Sequence, residues 1–451
     1  MPSRAQAGPT PMAAAAALAG QPGRVLLHGG RDDDGLGQAS FVAAWPSATL
    51  SGRGDELVAR DEAGQVTRRW RGDPIAAAAA FAQDHGAALD AGVGVHAAPR
   101  VVALLGYDLG RAIERLPAPV GRAPAALDLW LAAYPAMLAW PDGPGAPRLI
   151  GERRAGQRLL AACAAGPASP GPAPRLGPLS CAEPDAAHLA RVERALGYIA
   201  AGDVYQVNLA RRLEAPLLGG GDPLALYAAL DAVAPAPYGA LIEAEGVTVV
   251  SGSPERFLSV RGDRVETRPI KGTRPRPRDP AAAAAAAAEL AAAEKDGAEH
   301  LMIVDLERND LGRVARTGSV VVDALGYVVE LPHLYHRVSR VSATLRPGVD
   351  LAALLRATFP GGSITGAPKV RAMQLIDELE PVGRGPYCGA IGWLGAGTVE
   401  LAIAIRVAVL TDDALHIHVG GGIVADSDPH AELAETETKA AGWRRALASL
   451  A

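Results

Sequence analysis

Apolar residues recur at helical spacing between Asp185 and Ala201, at Leu189, Val192, Leu196 and Ile199. The run stops at Gly202-Asp203, which suits a helix C-terminus. The period then falls to two. In Val204–Leu209, Gln206 and Asn208 share one face and Val207 and Leu209 the other, so a strand is predicted. Hairpins follow over Gly239–Ser251, turning at Glu245-Gly246, and over Arg256–Pro269, turning at Gly262-Asp263. Asp279-Pro280 starts a helix through eight alanines, 281–288, and a second helix carries Lys295–Leu311. Another covers Val370–Leu379. Cys388–Leu394 and Val399–Leu410 are predicted to pair across Gly395-Ala396-Gly397. In the second of these, Leu401, Ile403, Ile405 and Val407 face one way, and Ala402, Ala404, Arg406 and Ala408 the other. An arginine among alanines marks either a recess or a solvated sheet face. Leu415–Val419 is a further strand, Gly420-Gly421-Gly422 follows it, and Asp428-Pro429 starts the last helix.

The first part of the chain is less patterned. Val25–His28, Ser40–Trp45 and Val101–Tyr107 read as strands and Pro74–His85 as a helix, while Leu127–Leu138 fits either. Residues 1–23, rich in Ala, Pro and Gly, are expected to be disordered, and the alanine run at 13–19 is too short to span a bilayer. Pro and Gly dominate 166–174, so 141–180 reads as a linker with a short helix near Arg158–Ala164. The expected organisation is 24–140, the linker, and 181–451.

Composition narrows the function classes. The chain has 451 residues, 49% of them hydrophobic, a net charge of −5 and a pI near 6.1, with no apolar run long enough for a membrane. No nucleic-acid or membrane partner is expected. Cys163, Cys181 and Cys388 are odd in number and lack metal-ligand spacing, which points to a reducing cytoplasm.

Chemistry concentrates after residue 185. Lys271 ends the second hairpin beside Gly272 and ahead of Arg274, Arg276 and Arg278. A desolvated lysine near other cations has a lowered pKa and can act as a nucleophile; a solvated strand-end lysine does nothing. Glu432, Glu435 and Lys439 share a helix face, as do Asp296 and Glu299 on another helix. Such acids could meet around Mg²⁺ or remain a charged surface, and their spacing does not decide whether the helices meet. The three glycines at 420–422 either offer backbone N–H groups to an anion or form a flexible turn. Gly361–Lys369 resembles a phosphate loop without matching its pattern, so nucleotide binding is disfavoured. His333 and His336 lack a third ligand and read as structural or acid–base residues.

Taken together the motifs resemble a known family. Ser253–Phe257, Pro269–Arg276, Glu299–Gly312, Thr358–Lys369, Tyr387–Gly392 and Gly420–Pro429 occur in the order found in chorismate-utilising enzymes. That group includes anthranilate, isochorismate and salicylate synthases. The resemblance covers about 185–445 and is loose before it. Isochorismate and salicylate synthases carry a water-activating lysine where this chain has Gln206, and an amide cannot act as a base near neutral pH. Anthranilate synthases usually carry alanine where this chain has Lys271. Pro-Ile-Lys-Gly-Thr is the form of the aminodeoxychorismate synthase component I branch.

The resemblance implies an α+β fold with two large antiparallel sheets in a sandwich, surrounded by helices. It implies amination of chorismate at C4 to 4-amino-4-deoxychorismate, a transaminase-class step toward para-aminobenzoate and folate. Glu299 and Glu435 resemble the Mg²⁺ ligands, with Asp296 and Glu432 as neighbours. Lys271 is similar to the nucleophile, Glu255 to the general acid, Asn208 to a positioning amide, and His336 to a histidine near the ring. Tyr387 and Arg406 match residues that hold the enolpyruvyl carboxylate. Thr273, Gly420, Gly421 and Lys439 match the remaining cradle. Ammonia is expected from a separate glutamine amidotransferase subunit, since no such domain fits in the chain, and no lyase domain is expected after 445. Anthranilate synthase component I, or an inactive binding or regulatory subunit, are the alternatives.

Overall fold

Strands from the two ends of the chain pair with one another. Val25–Gly29 lies between Ser40–Ala43 and Tyr238–Ala244, and Val101–Leu105 lies between Leu129–Ala133 and Ala390–Gly395. The structure is a computed structural model that describes residues 8–30, 39–86, 100–117, 121, 127–141, 143, 145–395 and 397–450. Among these residues two antiparallel sheets form, each of twelve strands. The first runs from Gln206–Gly219 through Ala414–Val424, Val407–Leu410, Val247–Ser253, Tyr238–Ala244, Val25–Gly29 and Ser40–Ala43 to Ala136–Trp140 and Arg148–Gly151. The second runs from Ile270–Pro275 through Leu334–Thr344, Arg264–Arg268, Arg256–Arg261, Thr398–Ile403, Ala390–Gly395, Val101–Leu105, Leu129–Ala133 and Ala48–Arg53 to Glu56–Asp61 and Val66–Arg71.

The period of two explains the layering. Val25 and Leu27 join a core with Leu104, Leu131, Leu258 and Leu401 of the second sheet. Leu26, between them, joins a separate core with Val42, Leu213, Ile417 and Trp443. The first sheet therefore buries both faces, the outer one beneath helices Pro11–Ala17, Arg153–Ala165, Pro223–Val233 and Pro429–Ala448. The α+β sandwich expected from the resemblance is present.

Three expectations change. Pro11–Ala17, placed in a disordered start, is a helix capped by the Thr10 hydroxyl, with Ala14–Ala16 fully buried. Alanine is the strongest helix former, and its small side chain lets the helix lie close on the sheet. In the linker region, Arg148–Gly151 pairs with Ala136–Trp140, and the helix spans Arg153–Ala165 rather than a few residues. Leu127–Leu138 resolves into two strands, one in each sheet. Residues 1–7 and Ala396 lie outside the described residues.

The largest correction is at Val399–Leu410, which is two strands. Thr398–Ile403 belongs to the second sheet and Val407–Leu410 to the first. Arg406 lies in the crossing, in the left-handed region at φ 49°, so it is not on a sheet face among alanines. A parallel crossing, from Val247–Ser253 to Arg256–Arg261, carries Pro254 and Glu255. Ile403 N–H donates to Glu255 O at 3.0 Å and ties the two crossings together.

Candidate active site

Both crossings lie at the mouth between the sheets, where interrupted ladders free side chains to point inward. Glu255 is almost fully buried. Burial raises its carboxyl pKa, opposed by a hydrogen bond from Ser363, the Lys271 charge, the Ile270 N–H and Lys439. Lys271 sits at a bulge: Ile270 pairs with Val338 and Thr273 with His336, leaving one residue too many on its strand. Desolvation lowers the Lys271 pKa, helped by Lys439 and opposed by Glu255, Glu299 and Glu435. The expectation that Arg274 supplies the depressing charge fails, because its guanidinium turns to Glu289 at 2.9 Å and Asp296 at 3.0 Å. Lys439 takes that role.

The same crossing that moves Arg406 also opens the glycine strand. Gly420, Gly421 and Gly422 are neither a loop nor a turn; they pair with Ala210, Leu209 and Asn208 inside strand Ala414–Val424. Their other edge is open among the described residues, because Val407–Leu410 pairs only as far as Ile417 before leaving toward Arg406. Backbone groups on that edge are free for a ligand, apart from Gly420 O, which accepts from Lys439 Nζ at 2.6 Å. Side chains at these positions would close the cleft. A Cβ on Gly421 would lie 3.2 Å from both Glu432 and Glu435, and one on Gly422 would lie 2.6 Å from Gln206 Nε2.

Polar groups line the inner wall. Asn208 Nδ2 donates to Ser363 O at 2.9 Å, and its Oδ1 accepts from Gln206 Nε2 at 3.2 Å. Gln206 Oε1 is buried with no partner among the described residues. His336 Nδ1 meets the Thr273 hydroxyl at 2.8 Å, and its Nε2 is buried without a partner among the described residues. Burial first and then Arg406 push the imidazole down to about 3, so it is neutral near pH 7. Tyr387 stacks on His418 with ring centroids 5.4 Å apart. Among the described residues no carboxylate pairs with Arg406, and burial lowers its pKa. A free guanidinium beside a neutral histidine suits a carboxylate ligand.

Acids on the two helices come within electrostatic reach of one another. Glu299 on Glu294–Gly312 and Glu435 on Pro429–Ala448 act on each other and on Lys271. Burial raises Glu299, and raises Glu432, which is pushed further by Glu435. Burial also works against Glu435, but Lys439, 2.7 Å away, outweighs it and the net shift is downward. Glu432 Oε1 accepts from Ser427, while Oε2 has no partner among the described residues. Asp296 is drawn aside by Arg274. Among the described residues no three acids or histidines converge into a cage of their own. An all-carboxylate set, with Glu299 and Glu432 raised and one oxygen of Glu432 unpartnered among the described residues, nonetheless fits a hard cation that takes one or two carboxylates and fills its shell with water and substrate oxygens.

Sequence reasoning missed Ser363 and Arg384. Arg384 donates to Asn208 O, Ile364 O and Glu380, and so fixes the wall that carries Asn208. The Gly361–Lys369 motif was the available signal for Ser363. Gly297 is approached by Arg337, whose Nη1 lies 2.6 Å from the position of a Cβ.

Comparison with known proteins agrees with this geometry. A family model described as chorismate binding enzyme matches residues 37–445. Aminodeoxychorismate synthase component 1 of Klebsiella aerogenes is 37% identical over 94% of this chain and 93% of its own length. An anthranilate synthase component 1 of Haloarcula marismortui is 48% identical over 250 residues, 55% of this chain and 51% of that protein. The crystal structure of anthranilate synthase component I from Streptococcus pneumoniae TIGR4 superposes with a TM-score of 0.78 at 27% identity, covering 90% of this chain and 92% of that one.

Proposed function

The chain belongs to the chorismate binding enzyme family, and on that premise we propose that it aminates chorismate at C4 to 4-amino-4-deoxychorismate, for para-aminobenzoate and folate synthesis. One observation carries the choice of reaction: Lys271 and Glu255 face each other with pKa values moved toward neutrality from opposite sides. Each shift favours the uncharged form, a carboxylic acid on Glu255 and a free amine on Lys271. Arg406 and Tyr387 would hold the enolpyruvyl carboxylate. The Gly420–Gly421 edge, Thr273 and Lys439 would hold the rest of the substrate. His336 faces the ring as a neutral donor or acceptor. The Lys271 amine bonds to the ring as the C4–O bond breaks, and Glu255 delivers the proton with which the hydroxyl leaves as water. Ammonia then displaces the lysine, and Asn208 holds the reacting groups in place.

Mg²⁺ on Glu299 and Glu435, with Glu432 and Asp296 behind them, would neutralise the ring carboxylate. Ammonia would come from a separate glutamine amidotransferase subunit, consistent with the component 1 name of the relative. A cytoplasmic setting accords with the free thiols of Cys163, Cys181 and Cys388. No described helix is long and apolar enough to cross a membrane.

Over the catalytic half an anthranilate synthase matches as well as an aminodeoxychorismate synthase, 48% over 250 residues against 49% over 251, which supports a second reading, amination with loss of pyruvate to anthranilate. Incubation with chorismate, Mg²⁺ and ammonium salt, followed by mass spectrometry and fluorescence, separates the two. A non-fluorescent product that retains the enolpyruvyl group is expected. Fluorescent anthranilate would overturn the proposal.

A further inference from the structure

The Gly361-Gly362-Ser363 turn stands between Glu255, Asn208 and Glu307. The Ser363 hydroxyl bonds the Glu255 carboxyl, and Ser363 O accepts from Asn208 Nδ2. On the other side, Gly362 N–H donates to Glu307 Oε1 at 3.0 Å. Glu307 projects from helix Glu294–Gly312 and is only 3% exposed. The turn lies flush on that helix: a Cβ at Gly362 would sit 2.6 Å from Leu306 Cδ2 and 3.2 Å from Glu307 Oε1. Three residues along, Asp310 pairs with Lys369, whose Nζ also donates to Thr358 O at 3.0 Å. Segment 358–369 is thus tied to that helix at Gly362 and at Lys369, and Lys369 in turn holds Thr358.

We infer that Glu307 is a positioning residue for Glu255, acting through the Gly362–Ser363 turn, an inference that rests on the reaction proposed above. Fixing the turn fixes both the hydroxyl on Glu255 and the carbonyl on Asn208. The charges around Glu307 agree with this role. It faces Asp310 on its own helix, Lys369 from helix Lys369–Leu379, and Glu255 from the crossing. Burial and then Asp310 push its pKa up to about 8, so near neutral pH it is an acid rather than an anion. Its second oxygen is buried without a partner among the described residues. A neutral acid accepts from Gly362 N–H without setting another negative charge beside Glu255, which Lys271, Lys439 and the Cys388 thiol face from other elements.

Because the acid is neutral, glutamine should replace it and alanine should not. Glu307→Ala is expected to lower kcat for chorismate and ammonium roughly tenfold, short of the 10²–10⁴ that a directly participating acid contributes, with KM for chorismate unchanged. Glu307→Gln should restore kcat. Ser363→Ala should cause a loss like that of Glu307→Ala, and the double variant should lose little more, since both act on one contact. If Glu307→Ala does not fold, Glu307→Asp, which keeps the acid but shortens its reach, should show the same fall in kcat. Normal kcat in Glu307→Ala, no rescue by glutamine, or losses that multiply in the double variant would each overturn the inference while leaving the proposed reaction standing. A wild-type chain that does not consume chorismate would sink the reaction itself, and the role of Glu307 with it.

Discussion

Arg24 and Arg406 are both largely withdrawn from water, yet they sit in opposite company. Arg24, beneath helix Pro11–Ala17, is held by Asp222 at 2.6 Å, by Glu243 at 2.7 Å and by Ala15 O. Burial alone would lower its pKa, but the two carboxylates outweigh it and the net shift is upward. Arg406 has no such carboxylate among the described residues, and its shift is downward. The same contrast separates two buried glutamates. Glu400 is met by Arg256, Arg261 and the Ser259 hydroxyl, whereas Glu255 keeps a raised pKa. Where a buried charge is answered by the protein, it builds structure. Where it is left unanswered, as at Arg406, the proposed reaction makes the substrate its partner.

Removing charges in the two places should therefore do different things. The largest effect is expected in the acidic cluster. Glu299→Ala or Glu435→Ala should abolish turnover; Glu299→Ala should leave the melting temperature unchanged or higher, because it removes an acid held above its ordinary pKa, whereas Glu435→Ala, which forfeits the Lys439 pair, should lower it slightly. Retained activity that still requires Mg²⁺ would remove these residues from the site. Next, Arg24→Ala should cost about 3–5 kcal/mol of stability by stranding Asp222 and Glu243, as read from denaturant unfolding, with KM unchanged in the protein that stays folded. An unaffected unfolding midpoint would break the comparison on its structural side.

A smaller effect, on the order of a hundredfold in rate, is expected for Lys271→Ala, the scale at which loss of a correctly placed reacting group is felt. Some direct attack by ammonia should survive. Wild-type protein given chorismate without ammonia should carry a covalent adduct on Lys271, and the variant none; intact-mass measurement with peptide mapping decides this. An adduct elsewhere, or none under trapping, would make Lys271 a positioning charge only. Smaller again, Arg406→Ala should raise KM for chorismate roughly tenfold, about the worth of one charged hydrogen bond, without lowering stability.

The smallest effect concerns pH. The folded-state pKa of Glu255 lies above the ordinary 4.5, so the unfolded chain sheds this proton first as pH rises. Stability is lost from pH 4.5 upward until the folded-state pKa is passed. Glu255→Gln escapes that loss, so it should melt about 1–2 °C higher near neutral pH, and no higher below pH 4.5. A variant that melts lower at neutral pH would show that the carboxyl is satisfied in place, as Glu400 is.

Much of this molecule is legible locally. The hairpin turns at Glu245-Gly246 and Gly262-Asp263, the helix starts at Asp279-Pro280 and Asp428-Pro429, and the strand alternation at Gln206–Leu209 follow from backbone preference and from side chains within a few residues. The site residues were also named in advance, by resemblance and not by spacing. Tertiary structure decided what depends on distant partners. Val399–Leu410 is apolar throughout, so its pattern does not reveal that the chain changes sheets at Arg406; only pairing with Val247–Ser253 on one side of the break and Ala390–Gly395 on the other does. That single crossing takes Arg406 out of both ladders and opens the edge of Gly420–Gly422. Likewise, Lys439 rather than Arg274 faces Lys271, and Glu307 reaches Gly362, because helices far apart in the chain pack at one cleft. Local periodicity reports which face of an element is apolar; it carries no information about which distant element will cover that face, and the electrostatics of this site are set by that choice.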